Sequence, residues 1–376
     1  MGPNQKTALV TGSNGISGAA MVKQLLSSPS WDRIIAVYRT EPKDVPQDPR
    51  LKIVLVDLSK SSSDIAESLK SQHATGVTHF FHFAYKHHVG LQELQDDNVP
   101  MFTNTLTAID DTSKDTLQRV ILQTGGKTYG IYFRAALIEP TPEHPVHPRV
   151  TETDALPLFY YAQEDFMIDL ASKRKWKWNV TVPFWINGFT KGNGMSFATT
   201  VAIYFTLQKA AGLPAIFAYS ATDASVSKYM KPQHMSTASH VAKFTEWLAD
   251  NDQVGNQHFN IVDDTKTTSA DIWEGTGRYF GIPTKNEPGF DLVADVENRL
   301  AAGEWDAVVK KYGGSKDALK YATWDTLAWT QGGNWACDVS MDKAIKAGWY
   351  EKADTNVELA KIFDEMKSAG VIPDII

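Results

Sequence analysis

The chain is expected to fold as an α/β protein, a Rossmann-type doubly wound parallel sheet with a smaller, mostly helical C-terminal lobe. Three observations carry that expectation. Short apolar runs alternate with helical stretches over the first half of the chain, as in successive βαβ units. Gly12, Gly15 and Gly18 stand three apart between the first apolar run and the first helical pattern. With 376 residues, 43% of them hydrophobic, the chain can bury a large core. Residues 1–190, with a strand returning near 257–262, form the expected nucleotide-binding domain, and residues 191–376 the substrate lobe.

Residues 7–10 read as a buried strand, and Ala19, Met21, Val22, Leu25 and Leu26 fall on one face of the helix that follows. The glycines between them permit a sharp turn, and a helix N-terminus offers unpaired N–H groups and partial positive charge to a pyrophosphate. Thr11, Gly12, Asn14, Gly15, Ile16 and Gly18 are therefore candidate cofactor contacts; a strand–helix turn with no ligand is the plain alternative. The second strand, 33–39, ends at Arg39, where the adenosine ribose should lie. A guanidinium there, with Lys43 nearby, suits a 2′-phosphate and so NADP(H); a solvated arginine is the alternative. The third strand, 51–56, ends at Asp57-Leu58, both candidate cofactor contacts. Residues 62–69 begin a serine-capped helix.

The fourth strand spans 77–84. His79, His82, His87 and His88 lie in or after it, but residues three apart on a strand face opposite ways and no acid or cysteine completes a ligand set, so no metal is expected. A helix at 99–109 leads to the fifth strand, 120–124, whose Thr124 is a candidate cofactor contact. The sixth, 178–185, carries Pro183, another. Residues 196–211 form an apolar helix closed by Gly212-Leu213-Pro214, either roofing a pocket or simply core. A strand at 257–262, a helix at 270–280 and an amphipathic helix at 355–368 follow; 284–335 is Trp-rich and unassigned.

Composition excludes several classes. Net charge is −7 with no basic block, so nucleic acid is not an expected partner. Lys173 to Lys177 reads as a solvated helix end. The single cysteine, Cys337, allows no intrachain disulfide. The most apolar stretch, 197–217, is broken by Gln208, Lys209, Gly212 and Pro214, so no bilayer span is expected. No apolar signal segment precedes the first strand, and the Asn179 sequon reads as chance. A soluble, cytoplasmic protein is expected, with a homodimer as a candidate assembly.

Chemistry should lie beyond the carboxyl ends of the strands. After the fifth strand comes Leu122-Gln-Thr-Gly-Gly-Lys-Thr-Tyr-Gly130, and some thirty residues later Leu158-Phe-Tyr-Tyr-Ala-Gln-Glu-Asp165. A nicotinamide reductase needs a donor aimed at a substrate oxygen and a cation beside it, roles that Tyr and Lys fill. Ordinary short-chain dehydrogenases place both on one helix as Tyr-x-x-x-Lys. Here the residue four after Tyr160 is Glu164, and four after Tyr161 is Asp165. The usual serine, counted back from Tyr129-Gly130, is Gly125.

With these features the chain resembles the progesterone 5β-reductase/iridoid synthase-like family, an atypical branch of the extended short-chain dehydrogenases. The matches are Thr-Gly-x-x-Gly-Ile-x-Gly at 11–18, Leu-Gln-Thr-Gly-x-Lys-x-Tyr at 122–129 and Phe-Tyr-Tyr-x-x-Glu-Asp at 159–165. Met101-Phe102-x-Asn104 and His258-Phe259-Asn260 also fit. Thr181-Val182-Pro183 departs from the family's His-Arg-Pro, and the loop at 191–194 also differs. The resemblance implies that NADPH delivers hydride to the β-carbon of an enone or enal. It further implies that Tyr161 hydrogen-bonds the carbonyl oxygen and that Lys127 replaces the missing helix lysine. Tyr161 is preferred to Tyr160 as the phenol, since adjacent helix positions face different ways; for Tyr160, core packing is the plain alternative.

Phe83, Tyr85, Phe133, Trp185 and Tyr204 are pocket candidates suited to a small apolar terpenoid-, steroid- or polyketide-like carbonyl compound. The alternatives are an NADP(H)-binding cyclase or isomerase, a ketoreductase, or a cofactor sensor, the last of which would need neither Lys127 nor Tyr161.

Overall fold

The computed structural model describes residues 5–42, 45–129, 149, 158–191, 196–219, 230–332 and 337–375. In chain order the elements of the sheet region are β1 (Thr7–Thr11), α1 (Ile16–Ser27), β2 (Arg33–Tyr38), β3 (Leu51–Leu55), α2 (Ser62–Ser71), β4 (His79–His82), α3 (Leu91–Thr112), β5 (Arg119–Gln123), α4 (Phe159–Ser172) and β6 (Lys177–Pro183). Then come β7 (Ile186–Asn187), α5 (Phe197–Ala211), β8 (Ala215–Tyr219), β9 (Ser236–Thr237), α6 (Ala238–Asp250), β10 (Gln257–Ile261), α7 (Ser269–Phe280) and β11 (Thr284–Pro288). The last are α8 (Leu292–Ala301), α9 (Glu304–Tyr312), α10 (Trp324–Gly332), α11 (Asp342–Lys346) and α12 (Thr355–Ser368). Lys43, Phe133, Gly130 and residues 192–194 lie outside the described residues.

Two compact units result. The first comprises Met1–Pro183, Ala238–Ile261 and Ser340–Tyr350. It holds a seven-stranded sheet in the order β10-β6-β5-β4-β1-β2-β3, every neighbouring pair parallel. β1 is buried at all five positions, as a central strand covered on both faces must be. The chain winds outward from β1 to β3 on one side and from β4 to β10 on the other. The reversal lies between β1 and β4, the place where open α/β sheets take ligands. α3 runs through Pro100, eight residues further toward the N-terminus than the expected start at 99, because Leu94 and Asn98 bury on the same face as Phe102.

The second unit comprises Phe184–Thr237, Val262–Val339 and Glu351–Ile376. Its centre is α5, buried at every position from Ala198 to Gln208 and packed with Trp273, Phe280 and Phe363. α5 is therefore core. Ser196 caps it by accepting from the Thr199 N–H, and Gly212 ends it in the left-handed conformation at φ +69°. α7 opens on a capping box between Thr268 and Asp271. Two short parallel pairs, β8–β11 and β7–β9, complete the unit.

Candidate active site

The turn after β1 is held by close backbone approaches. A Cβ on Gly12, whose φ is +68°, would stand 2.6 Å from the carbonyl carbon of Phe83, and one on Gly18 would stand 2.1 Å from the Gly12 oxygen. Both positions must be glycine for the turn to close on β4 and on itself. Gly15 is the N-cap of α1, and a Cβ there would meet only the Gly12 oxygen, at 3.3 Å. α1 has no side-chain cap and no acid in its first turn, so its N–H groups and positive dipole end are available to an anion. Asn14 is exposed and Ile16 is buried. These residues fit the pyrophosphate of a dinucleotide.

Not every candidate faces that ligand side. The Thr11 hydroxyl is fully buried, 3.0 Å from His82 Nδ1, and accepts from the Phe83 N–H. Thr124 donates both its N–H and its hydroxyl to the Thr181 carbonyl. Both side chains tie strands together. Arg39 is exposed just past β2. The Val56 N–H bonds the Tyr38 carbonyl, which sets Asp57-Leu58 beside it. Hydrogen bonds from Ser59 hold the Asp57 carboxyl below its ordinary range, with smaller help from the charges of Lys60 and Arg39. Pro183, at the end of β6, is buried, and its carbonyl lies 3.6 Å from a Cβ built on Gly125. A tie that the sequence did not signal joins Gln123 Nε2 to Ser17 Oγ at 3.0 Å, from the end of β5 to α1.

Lys127 sits in a single 3-10 turn, Gly126–Tyr129, directly after β5. The turn is anchored by Tyr129, whose hydroxyl donates to Asn260 Oδ1 at 2.6 Å. The Lys127 amine lies 6.0 Å from the centre of the Tyr85 ring, which stacks on Phe159, whose ring in turn lies 4.2 Å from that of Tyr160. Burial, then the Lys127 charge, pulls the pKa of His87 down.

Both tyrosines of α4 reach the loop after β5, at different points. Tyr160 Oη lies 3.4 Å from where a Cβ on Gly125 would stand. Tyr161 Oη donates to the Thr128 carbonyl at 2.6 Å, while Arg149, paired with Asp165, lies 4.8 Å over the Tyr161 ring. Nothing in the sequence marks Arg149.

The histidines have separate local roles. His79 packs edge-on against Trp31 and pairs with Thr78, His82 pairs with Thr11, and His88 pairs with Asp97. Of the pocket candidates, Phe83 is half-buried and Tyr85 exposed. Trp185 packs against Trp329. Tyr204 is fully buried in the second unit, its hydroxyl accepts from the Ile216 N–H at 3.0 Å, and burial pushes its pKa up to about 12. Among the described residues no helix is long and apolar enough to cross a membrane.

The parallel sheet reversing at a glycine turn carries a lysine after β5 and, among the described residues, two tyrosines on α4; with the relatives named below, this makes the chain an oxidoreductase of the extended short-chain dehydrogenase class. More narrowly, the chain belongs to the family described as the PRISE-like Rossmann-fold domain, whose family model matches residues 8–373. It is 27% identical over 386 residues to the short chain dehydrogenase gsfE of Penicillium aethiopicum, covering 98% of this chain and 99% of that one. It is 24% identical to the 3-oxo-Δ(4,5)-steroid 5β-reductase of Arabidopsis thaliana, covering 98% and 94%. The fold is similar to that of the Bordetella bronchiseptica enzyme WbmH, solved with NAD+, with a TM-score of 0.62 at 12% identity over 98% of this chain and 100% of that one.

Proposed function

We propose that this protein uses NADPH to reduce the C=C bond of an α,β-unsaturated carbonyl compound. The observation that carries the reading is Tyr160 beside Gly125. Where ordinary short-chain dehydrogenases set a serine hydroxyl against the tyrosine, this chain has no side chain, and a substrate carbonyl oxygen can take that room. We take Tyr160 as the phenol that donates to the oxygen, where the family resemblance implies Tyr161. Tyr161 has its proton engaged by Thr128 and is suited to holding the Lys127 turn in place.

A reduced nicotinamide dinucleotide, its pyrophosphate held at the α1 N-terminus, would supply the hydride (one proton and two electrons) to the β-carbon. The alkene π pair shifts toward the carbonyl as the carbonyl oxygen becomes an enolate oxygen. Tyr160 donates a hydrogen bond to it and the Lys127 ammonium offsets its charge. A solvent proton then adds to the α-carbon, which balances the reduction. Arg39 supports NADPH over NADH, because a guanidinium pairs with a 2′-phosphate. Phe83 and Tyr85 suit an apolar substrate, and the name of the Arabidopsis relative, a steroid 5β-reductase, agrees with an enone.

The test is NADPH oxidation at 340 nm against a panel of enones, enals and saturated ketones. Consumption with the enones or enals, giving the saturated carbonyl product, supports the reading. Turnover of the saturated ketones alone would replace it with a ketoreductase.

A further inference from the structure

The turn that carries Lys127 is tied to a distant part of the chain. Tyr129, two residues after Lys127, is buried, and its hydroxyl donates to Asn260 Oδ1 at 2.6 Å. Asn260, buried on β10, donates in turn from Nδ2 to the Ser340 carbonyl at 3.2 Å, 80 positions further along. One amide thus accepts from the Lys127 turn and donates to a late segment. An aspartate would set a second acceptor against the Ser340 carbonyl, and an aliphatic side chain would leave both partners unpaired. The same segment grips β10 again. Lys343, buried in α11, donates from Nζ to the His258 carbonyl at 2.8 Å and lies 4.7 Å over the Phe259 ring. His258 shares a face of β10 with Asn260, and its Nε2 lies 3.3 Å from Glu164 Oε2 on α4, both side chains fully buried. The turn, β10 and Ser340–Tyr350 all belong to the first unit. Polar groups buried this deep are costly unless paired, and once paired they specify one arrangement.

We propose that Asn260 is a positioning residue for Lys127, fixing the turn Gly126–Tyr129 to the Ser340–Tyr350 segment and so making that late stretch of chain part of the scaffold of the active site. The inference rests on the role given to Lys127 above. The lysine ammonium is a point charge on a flexible four-carbon stem. It serves an enolate oxygen only where the backbone beneath it holds still, since a misplacement of about 1 Å can cost on the order of 10²-fold in rate. Tyr161 ties the turn to α4 through the Thr128 carbonyl, a bond that is only partly buried. The Tyr129–Asn260 bond is buried and leads to a second anchor, so it is the stronger constraint on where the amine stands.

The experiment places Y129F and N260A in the wild type and in K127A, and measures kcat and KM with NADPH and an enone that the wild type reduces. In the wild-type background each substitution should lower kcat about tenfold or more with KM within about threefold. In K127A, where no amine is left to position, each should change the residual kcat by less than about twofold. A merely structural role lowers kcat equally in both backgrounds. Amide hydrogen exchange is measured on the same proteins without substrate. Y129F should speed exchange over residues 126–129 about tenfold and leave residues 340–345 as they are in the wild type. N260A should speed both segments, with β1 and α1 unchanged. If N260A does not fold, N260D, which still accepts from Tyr129 but cannot donate to Ser340, takes its place and should speed exchange over 340–345. An undiminished kcat in Y129F, an equal loss in K127A, or exchange at 126–129 that Y129F leaves unchanged overturns the proposal, as does exchange over 340–345 that survives loss of the Asn260 amide. The exchange arm needs no turnover, so failure of the wild type on every enone counts against the function alone.

Discussion

His79 and His82 should make this protein progressively weaker below neutral pH. Both are buried on β4, and burial is the main reason each pKa falls to about 3 from an ordinary 6.5. A histidine depressed in the folded state contributes fully above the unfolded pKa. That contribution is lost as pH falls from 6.5 toward 3, since the unfolded chain takes up the proton first. At pH 5 each histidine costs about 2 kcal/mol relative to pH 8, from 1.36 kcal/mol per unit over the 1.5 units below 6.5. Together they cost about 4 kcal/mol, a large part of the roughly 5–15 kcal/mol by which domains are stable. His234, also pushed down by burial, acts in the same direction. The stability that Asp57 adds, its carboxyl being held low, is fully present at neutral pH and is lost only as pH falls below the ordinary carboxylate range. Urea denaturation at pH 8, 7, 6 and 5 should show this loss, and H79Q/H82Q should flatten most of it. A curve flat from pH 8 to 5, or an undiminished slope in the double variant, would refute the reasoning.

Replacing Gly18 by alanine sets a Cβ 2.1 Å from the Gly12 oxygen, so NADPH affinity should fall more than about tenfold and the melting temperature by several degrees, both read in one thermal-shift titration. Arg39→Ser should weaken NADPH binding about 10- to 100-fold, the worth of a hydrogen-bonded charge pair, and leave NADH unchanged; isothermal titration with both cofactors checks it. Gly125→Ser fits its space, because its Cβ stands 3.4 Å from Tyr160 Oη. Its hydroxyl would occupy the room assigned to the substrate oxygen, so stability should hold within about 1 kcal/mol while kcat/KM on an enone falls about tenfold or more.

The sheet was legible because each strand of the first half combines an apolar run with a turn signal, and α7 and α12 because caps and periodicity agree. The short parallel pairs were not. β11 is Thr-Lys-Asn-Glu-Pro, largely exposed, and nothing in its composition marks a strand. α6 was passed over although Val241, Phe244 and Leu248 share a buried face. At the site, glycine spacing pointed to the turn, but spacing does not tell which hydroxyl points outward. Thr11 and Thr124 serve the sheet, a choice made by partners on β4 and β6 that lie far along the chain. The choice between Tyr160 and Tyr161 is of the same kind: helical period separates them, yet only the path of the loop after β5 decides what each hydroxyl meets. The Glu164–His258 contact joins residues 94 positions apart (258 − 164) and had no local signal.

The central claim is that one of two adjacent phenols does the chemistry, and parallel kinetics on Y160F and Y161F with NADPH and a responsive enone test it most directly. Y160F should lose about 10²- to 10³-fold in kcat with cofactor affinity unchanged. Y161F should lose the bond to Thr128, about 1 kcal/mol of stability, and keep kcat within about fivefold. A Y160F enzyme that turns over at the wild-type rate, or a Y161F enzyme as inactive as Y160F is expected to be, would contradict the account.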